Sequence, residues 1–97
     1  MAITSLVSLT FTPHAALEAE DAIRESLKLA RGFAGNLGID VLVDRTDRTR
    51  WLLIERWDSE ESDLAYRAYR AENGITSALG PLLAEPPQIV KYDVSST

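Results

Sequence analysis

The chain opens with an alternation. Ile3, Val7, Leu9 and Phe11 share one parity, Thr4, Ser8 and Thr10 hold the other, and Leu6 is the exception. Side chains of a strand point alternately to its two faces, so this period predicts a β-strand with one face strongly buried. Thr12-Pro13 ends it, because proline cannot donate to a ladder, and the pair fits a helix N-cap followed by the first helical position. From Pro13 to about Ala34 the spacing changes to three and four, and Ala16, Ala19, Ile23, Leu27, Ala30 and Ala34 form one stripe of a helix. Acids gather early in this helix and bases late, as the helix dipole prefers.

Gly32, Gly35 and Asn36 break the helix, and a second alternating run follows with Leu37, Ile39, Val41 and Val43 in phase. Asp44 to Thr49 is a polar hairpin connection. Arg50 to Trp57 is the third strand: Trp51, Leu53, Glu55 and Trp57 on one face, Leu52, Ile54 and Arg56 on the other. Apolar residues on both faces predict a strand covered on both sides. Asp58 and Glu61 stand in capping-box spacing. They start a second helix that runs to about Asn73, with Leu64, Ala68, Ala71 and, if it continues, Ile75 as its core stripe and Arg67 and Arg70 on its solvated side. A short helix over Thr76 to Leu83 and a last strand from Gln88 to Val94 complete the chain.

The order strand, helix, strand, strand, helix, strand predicts an α+β fold of the ferredoxin-like βαββαβ type, with an antiparallel four-stranded sheet. Residues 1–97 read as one domain, without an internal repeat or linker. Both helices on one face of the sheet leave the other bare, where Leu52, Ile54, Leu6 and Val90 would meet water. Pairing two such sheets face to face buries them, so the expected assembly is a twofold homodimer.

Composition narrows the partners. Fifteen acidic against ten basic residues give a net charge of −5, which repels phosphate backbones and argues against nucleic acid. The absence of cysteine excludes disulfides, thiolate metal sites and a cysteine nucleophile. No apolar run is long enough to span a membrane, and Met1 to Ser5 lacks the features of a signal peptide. The expectation is a cytoplasmic protein.

Leu53-Ile54-Glu55-Arg56-Trp57-Asp58-Ser59-Glu60-Glu61 resembles the third-strand signature of the antibiotic biosynthesis monooxygenase family, a group of dimeric α+β barrel proteins. There, glutamate and a tryptophan two residues later end the strand before an acidic helix start. Gly35-Asn36-Leu37-Gly38 is similar to the glycine-bearing turn that precedes the family's second strand. The resemblance implies a dimeric α+β barrel whose pocket lies between sheet and helices. It also implies oxidation of a small electron-rich aromatic substrate of phenol, quinol or anthrone type, without metal, flavin or other cofactor. By the same resemblance Trp57 lines the pocket. Tyr66 stands where many members carry histidine and haem-degrading ones tryptophan, and Leu53 where some aromatic oxygenases carry asparagine. A second histidine of the family, further downstream, is absent.

Trp51, Glu55 and Trp57 share a strand face, which leaves two accounts open. They are core residues with a paired carboxylate, or they wall a cavity in which a desolvated Glu55 serves as base. Tyr66 and Tyr69 border the second helix's stripe, where a ring can be buried while its hydroxyl reaches a cavity. Trp57, Tyr66 and Glu55 are thus the candidate catalytic residues, and Trp51, Tyr69 and Leu53 the candidate substrate contacts. His14, the only histidine, has no clustered partner for a metal site and reads as a helix-start residue. The rival function is a non-catalytic module that binds a small apolar or aromatic molecule; a third is an isomerase or cyclase on the same barrel.

Overall fold

The computed structural model describes residues 1–73 and 79–97. Four strands, β1 (Ile3–Thr10), β2 (Asn36–Val43), β3 (Arg50–Trp57) and β4 (Gln88–Asp93), form one sheet in the order β2-β3-β1-β4. All three pairings are antiparallel. Helix α1 (Ala16–Gly32) connects β1 to β2, and helix α2 (Glu60–Glu72) follows β3. This is the ferredoxin-like α+β arrangement that the order of elements predicts.

The alternation of β1 decides which face is covered. Ile3, Ser5, Val7 and Leu9 are all buried, and the three apolar ones share the core with Ala19, Ile23, Leu27 and Ala30 of α1. On β3 the same face carries Leu53, Glu55 and Trp57. The opposite face is open. Its central row runs Asp40, Ile54, Leu6, Val90 across the four strands in register. The flanking rows contribute Leu42 and Leu52, then Tyr92. Leu42, Val90 and Tyr92 are about half exposed.

Several local expectations shift. Helix α1 begins at Ala16 rather than Pro13, and Thr12 does not cap it: the helix has no side-chain cap. The backbone explains this. Thr12 N–H donates to the Leu82 carbonyl at 2.9 Å and Phe11 bridges Leu83, so the chain stays extended through Thr12 before a turn closes from Ala15 N–H to the Thr12 carbonyl. The helix stops at Gly32, two residues early, and Ala34 is exposed. Gly35 then adopts φ +91°, and a Cβ there would collide with the Ser62 side chain and the Asp58 carboxylate. Glycine is required at that crossing.

At the start of α2 the cap is Ser59, whose Oγ accepts from Ser62 N–H at 3.2 Å, while the Asp58 carboxylate accepts from the Ser62 hydroxyl. The capping box of Asp58 and Glu61 is therefore replaced by a cap one residue later. Ile75 of the expected stripe and residues 76–78 of the expected short helix lie outside the described residues, and Gly80–Leu82 is a single 3₁₀ turn. The last strand ends at Asp93.

The largest departure is the face of α2. Leu64, Ala68 and Ala71, expected in the core, are exposed. The helix instead turns Asp63, Tyr66, Arg67 and Arg70 toward the sheet, with Asp63 and Tyr66 buried and the two arginines partly so. These four are also spaced as one helical stripe, about 100° round from the apolar one. The inward stripe is polar because the sheet beneath it is polar.

Candidate functional site

Three strands each place one polar residue in the covered face of the sheet. They are Ser5 of β1, Glu55 of β3 and Lys91 of β4, and all of them meet α2. Asp63, fully buried, receives Lys91 Nζ at 3.0 Å and the Ser5 hydroxyl at 3.2 Å on Oδ2. Arg67 Nε lies 3.1 Å from Asp63 Oδ1, and Arg67 Nη2 donates to Glu55 Oε1 at 2.7 Å. A buried carboxylate is costly to desolvate unless paired and hydrogen-bonded. The network pairs both acids with cations and hydrogen-bonds Glu55 Oε1 and Asp63 Oδ2, while Asp63 Oδ1 has only the ion-pair contact to Arg67 and accepts no hydrogen bond among the described residues.

Beside it lies an aromatic group. Tyr66 sits 5.4 Å from Trp57 between ring centres and 5.3 Å from Phe33, the latter edge to face. Trp57 is fully buried, and its indole N–H has no hydrogen-bond partner among the described residues. Arg67 and Arg70 both stack over the Tyr66 ring, with guanidinium carbons at 5.3 and 5.7 Å. Arg70 Nη1 donates to the Tyr66 hydroxyl oxygen at 2.9 Å.

These groups close one end of a cavity of about 260 Å³ between the sheet and the helices. Val7 and Leu9 of β1, Leu27 of α1, Leu53 of β3 and Ile89 of β4 supply an apolar wall; Glu55, Tyr66, Arg67 and Arg70 supply the polar end. An apolar hollow with a few convergent polar groups is the usual form of a small-molecule site.

Of the residues singled out in the sequence, Tyr66, Glu55 and Leu53 line this cavity. Trp57 stands behind Tyr66 and does not line it. Trp51 does not line it either: it packs edge to face on Phe11 at 5.5 Å, its N–H donates to the Arg48 carbonyl, and it borders two other, larger hollows of about 490 and 330 Å³. Tyr69 is 40% exposed and rests against Phe33. His14 is exposed in the turn before α1.

The residues missed are Asp63, Arg67, Arg70, Ser5 and Lys91. A signal for them was present. Ser5 and Glu55 occupy the buried parity of otherwise apolar strands, and a buried polar group requires a partner. Asp63, Arg67 and Arg70 repeat at four and three residues on the next helix, which is the complementary pattern.

Solved structures share this fold. A protein from Nitrosomonas europaea superposes with a TM-score of 0.86 at 19% identity, covering 98% of this chain and 91% of its own. A variant of SnoaB, a cofactor-independent oxygenase from Streptomyces nogalater, gives 0.85 at 16% identity over 99% and 95%. Rv0793 from Mycobacterium tuberculosis gives 0.84 at 14% over 100% and 98%. Among curated proteins none matches the chain. The family model for antibiotic biosynthesis monooxygenase matches residues 2–72. That stretch runs from the first strand through the end of α2 and includes Glu55, Trp57, Tyr66 and both cavity arginines, and by it this chain belongs to the antibiotic biosynthesis monooxygenase family.

Proposed function

We propose that the chain is a cofactor-independent monooxygenase of a small phenolic or quinol-type aromatic, bound in the cavity between α2 and the sheet. The observation that carries this reading is the position of Tyr66: a buried ring, backed by Trp57 and Phe33, at the polar end of an otherwise apolar hollow. A cavity of about 260 Å³ lies just below the ~300–1,000 Å³ of common ligand sites, which favours one or two rings over three.

The chemistry balances without a redox group in the protein. A phenol oxidised to a quinone gives up the ring C–H and the O–H hydrogens; one atom of dioxygen becomes the new carbonyl and the other leaves as water. The substrate supplies all the electrons. Tyr66 donates a hydrogen bond to the substrate oxygen as charge develops on it, and Leu53 walls the ring. Glu55 is the carboxylate within reach to take a proton, and Trp57 is a positioning residue that holds Tyr66. Apolar walls exclude water from the reactive anion.

The assembly belongs to the same proposal. Family members are typically dimeric, and the open face, with Leu6, Ile54 and Val90 in one row, fits a second copy. The accessible surface of 6242 Å² exceeds the about 5,500 Å² expected of a folded monomer of this mass. Among the described residues no helix is long and apolar enough to cross a membrane, and a cytoplasmic location is part of the proposal.

Oxygen uptake with a panel of one- and two-ring phenols and naphthols tests the reading. Uptake with quinone formation, reduced at least about tenfold by Tyr66→Phe, is expected; no uptake with any of the panel would overturn it. One observation favours a non-catalytic binding module instead. Glu55, the carboxylate on the cavity wall, already engages Arg67 through Oε1. Stoichiometric binding without oxygen consumption would establish that alternative.

A further inference from the structure

The polar end of the cavity holds an unbalanced positive charge. Glu55 and Asp63 face Arg67 and Lys91, so two carboxylates and two cations cancel. Arg70 stands outside that balance. Among the described residues its guanidinium forms no ion pair, and it donates one hydrogen bond, to the neutral Tyr66 hydroxyl. It lines the same cavity. A guanidinium carries five N–H donors in a fixed fork, so most of its donor capacity is unused by the protein. Tyr66, accepting from Arg70, keeps its own O–H proton to give. Two donors therefore converge at one end of an apolar hollow.

We propose that Arg70 and Tyr66 form an oxyanion anchor and that the cavity selects small apolar monoanions. The flat body of the ligand lies against Val7, Leu9, Leu53 and Ile89, and its charged oxygen group lies at the Arg70 end. One surplus cation matches one negative charge. Polyanions are disfavoured by the Glu55 carboxylate on the same wall and by the net charge of −5. The inference rests on the reading of this cavity as the ligand site, and it adds the charge state of the ligand and the residue that reads it. An aryl oxide and an aryl carboxylate share the required chemistry.

Calorimetric titration of the folded protein at neutral pH distinguishes them. One arm compares 2-naphthoate with the neutral 2-naphthamide; the other compares pentafluorophenolate with pentafluoroanisole. At least one anion binds more tightly than its neutral counterpart by about tenfold or more, the scale of a charge-assisted hydrogen bond. The arm that shows the preference names the oxyanion class. Arg70→Gln removes the preference, and Arg70→Lys, which keeps the charge, retains part of it; Arg70→Met replaces the glutamine variant where that one does not fold. Equal binding of anions and neutral counterparts by the wild-type protein, an undiminished preference in Arg70→Gln, or no binding by any of the four probes overturns the anchor. Binding is read without turnover. A failure of the oxygen chemistry thus leaves this result standing, and oxygen uptake without anion preference overturns the anchor alone.

Discussion

Arg67 of α2 reaches Glu55 of β3 at 2.7 Å, with the carboxylate side chain only 4% exposed. The same guanidinium lies 3.1 Å from buried Asp63, so one cation serves two carboxylates and ties the helix to the sheet beside the cavity. Removing one partner of a buried pair strands the other charge, which costs far more than the pair contributes when intact. Arg67→Leu should lower the unfolding free energy by about 3 kcal/mol in urea, and adding Glu55→Gln should restore part of that. A loss below about 1 kcal/mol, the range of surface ion pairs, would show that the network is structurally idle.

The fold was legible because most of its signals are apolar and periodic. The parity of Ile3, Val7 and Leu9, the stripe from Ala19 to Ala30 and the Leu53–Trp57 face of β3 each name a buried side, and the structure buries those sides. The other face of β3, also expected to be covered, is open in the single chain. Helix α2 was misread for a physical reason. Hydrophobic periodicity assumes that the face turned inward is the apolar one, whereas here Leu64, Ala68 and Ala71 face outward and a charged stripe meets a charged sheet. Likewise Thr12-Pro13 has the local chemistry of a helix start, but the Leu82 carbonyl holds Thr12 extended. Tyr66 and Glu55 could be picked out individually; Arg67 and Arg70 required knowing which way the helix is turned.

The β2–β3 hairpin carries a pH dependence of known sign. The Thr46 backbone N–H, then its hydroxyl, hydrogen-bond to the exposed Asp44 carboxylate and hold it below the usual carboxylate range. The Thr49 hydroxyl, then its N–H, does the same for Asp47. A carboxyl whose folded value is depressed stabilises the fold above its unfolded value, near ~3.9. That contribution is lost as pH falls through the lower folded value. Carbon-detected NMR titration of the two carboxyls should give midpoints below the ordinary one, with the Thr46 and Thr49 amides shifting together with them. Midpoints at or above the ordinary value would show that the hairpin bonds do not form.

The open face gives a separate test. Ile54 pairs with Leu6 at the centre of the sheet, and Leu6 with Val90. Sedimentation of the wild-type protein should give twice the 10.7 kDa chain mass. Ile54→Asp, which places a charge in the middle of the row, should yield monomers that retain β-rich circular dichroism. A wild-type protein that sediments as a single chain at micromolar concentration would contradict the face-to-face pairing.

The central claim is that this cavity brings an aromatic substrate and dioxygen together with no other electron source, and a turnover under isotopically labelled dioxygen tests it most directly. With the best substrate of the panel, equal molar amounts of dioxygen and phenol should disappear, with one labelled oxygen in the quinone and the other in water. Tyr66→Phe should slow that reaction without changing the label pattern. Unlabelled product oxygen, or product formed without oxygen consumption, would contradict the account.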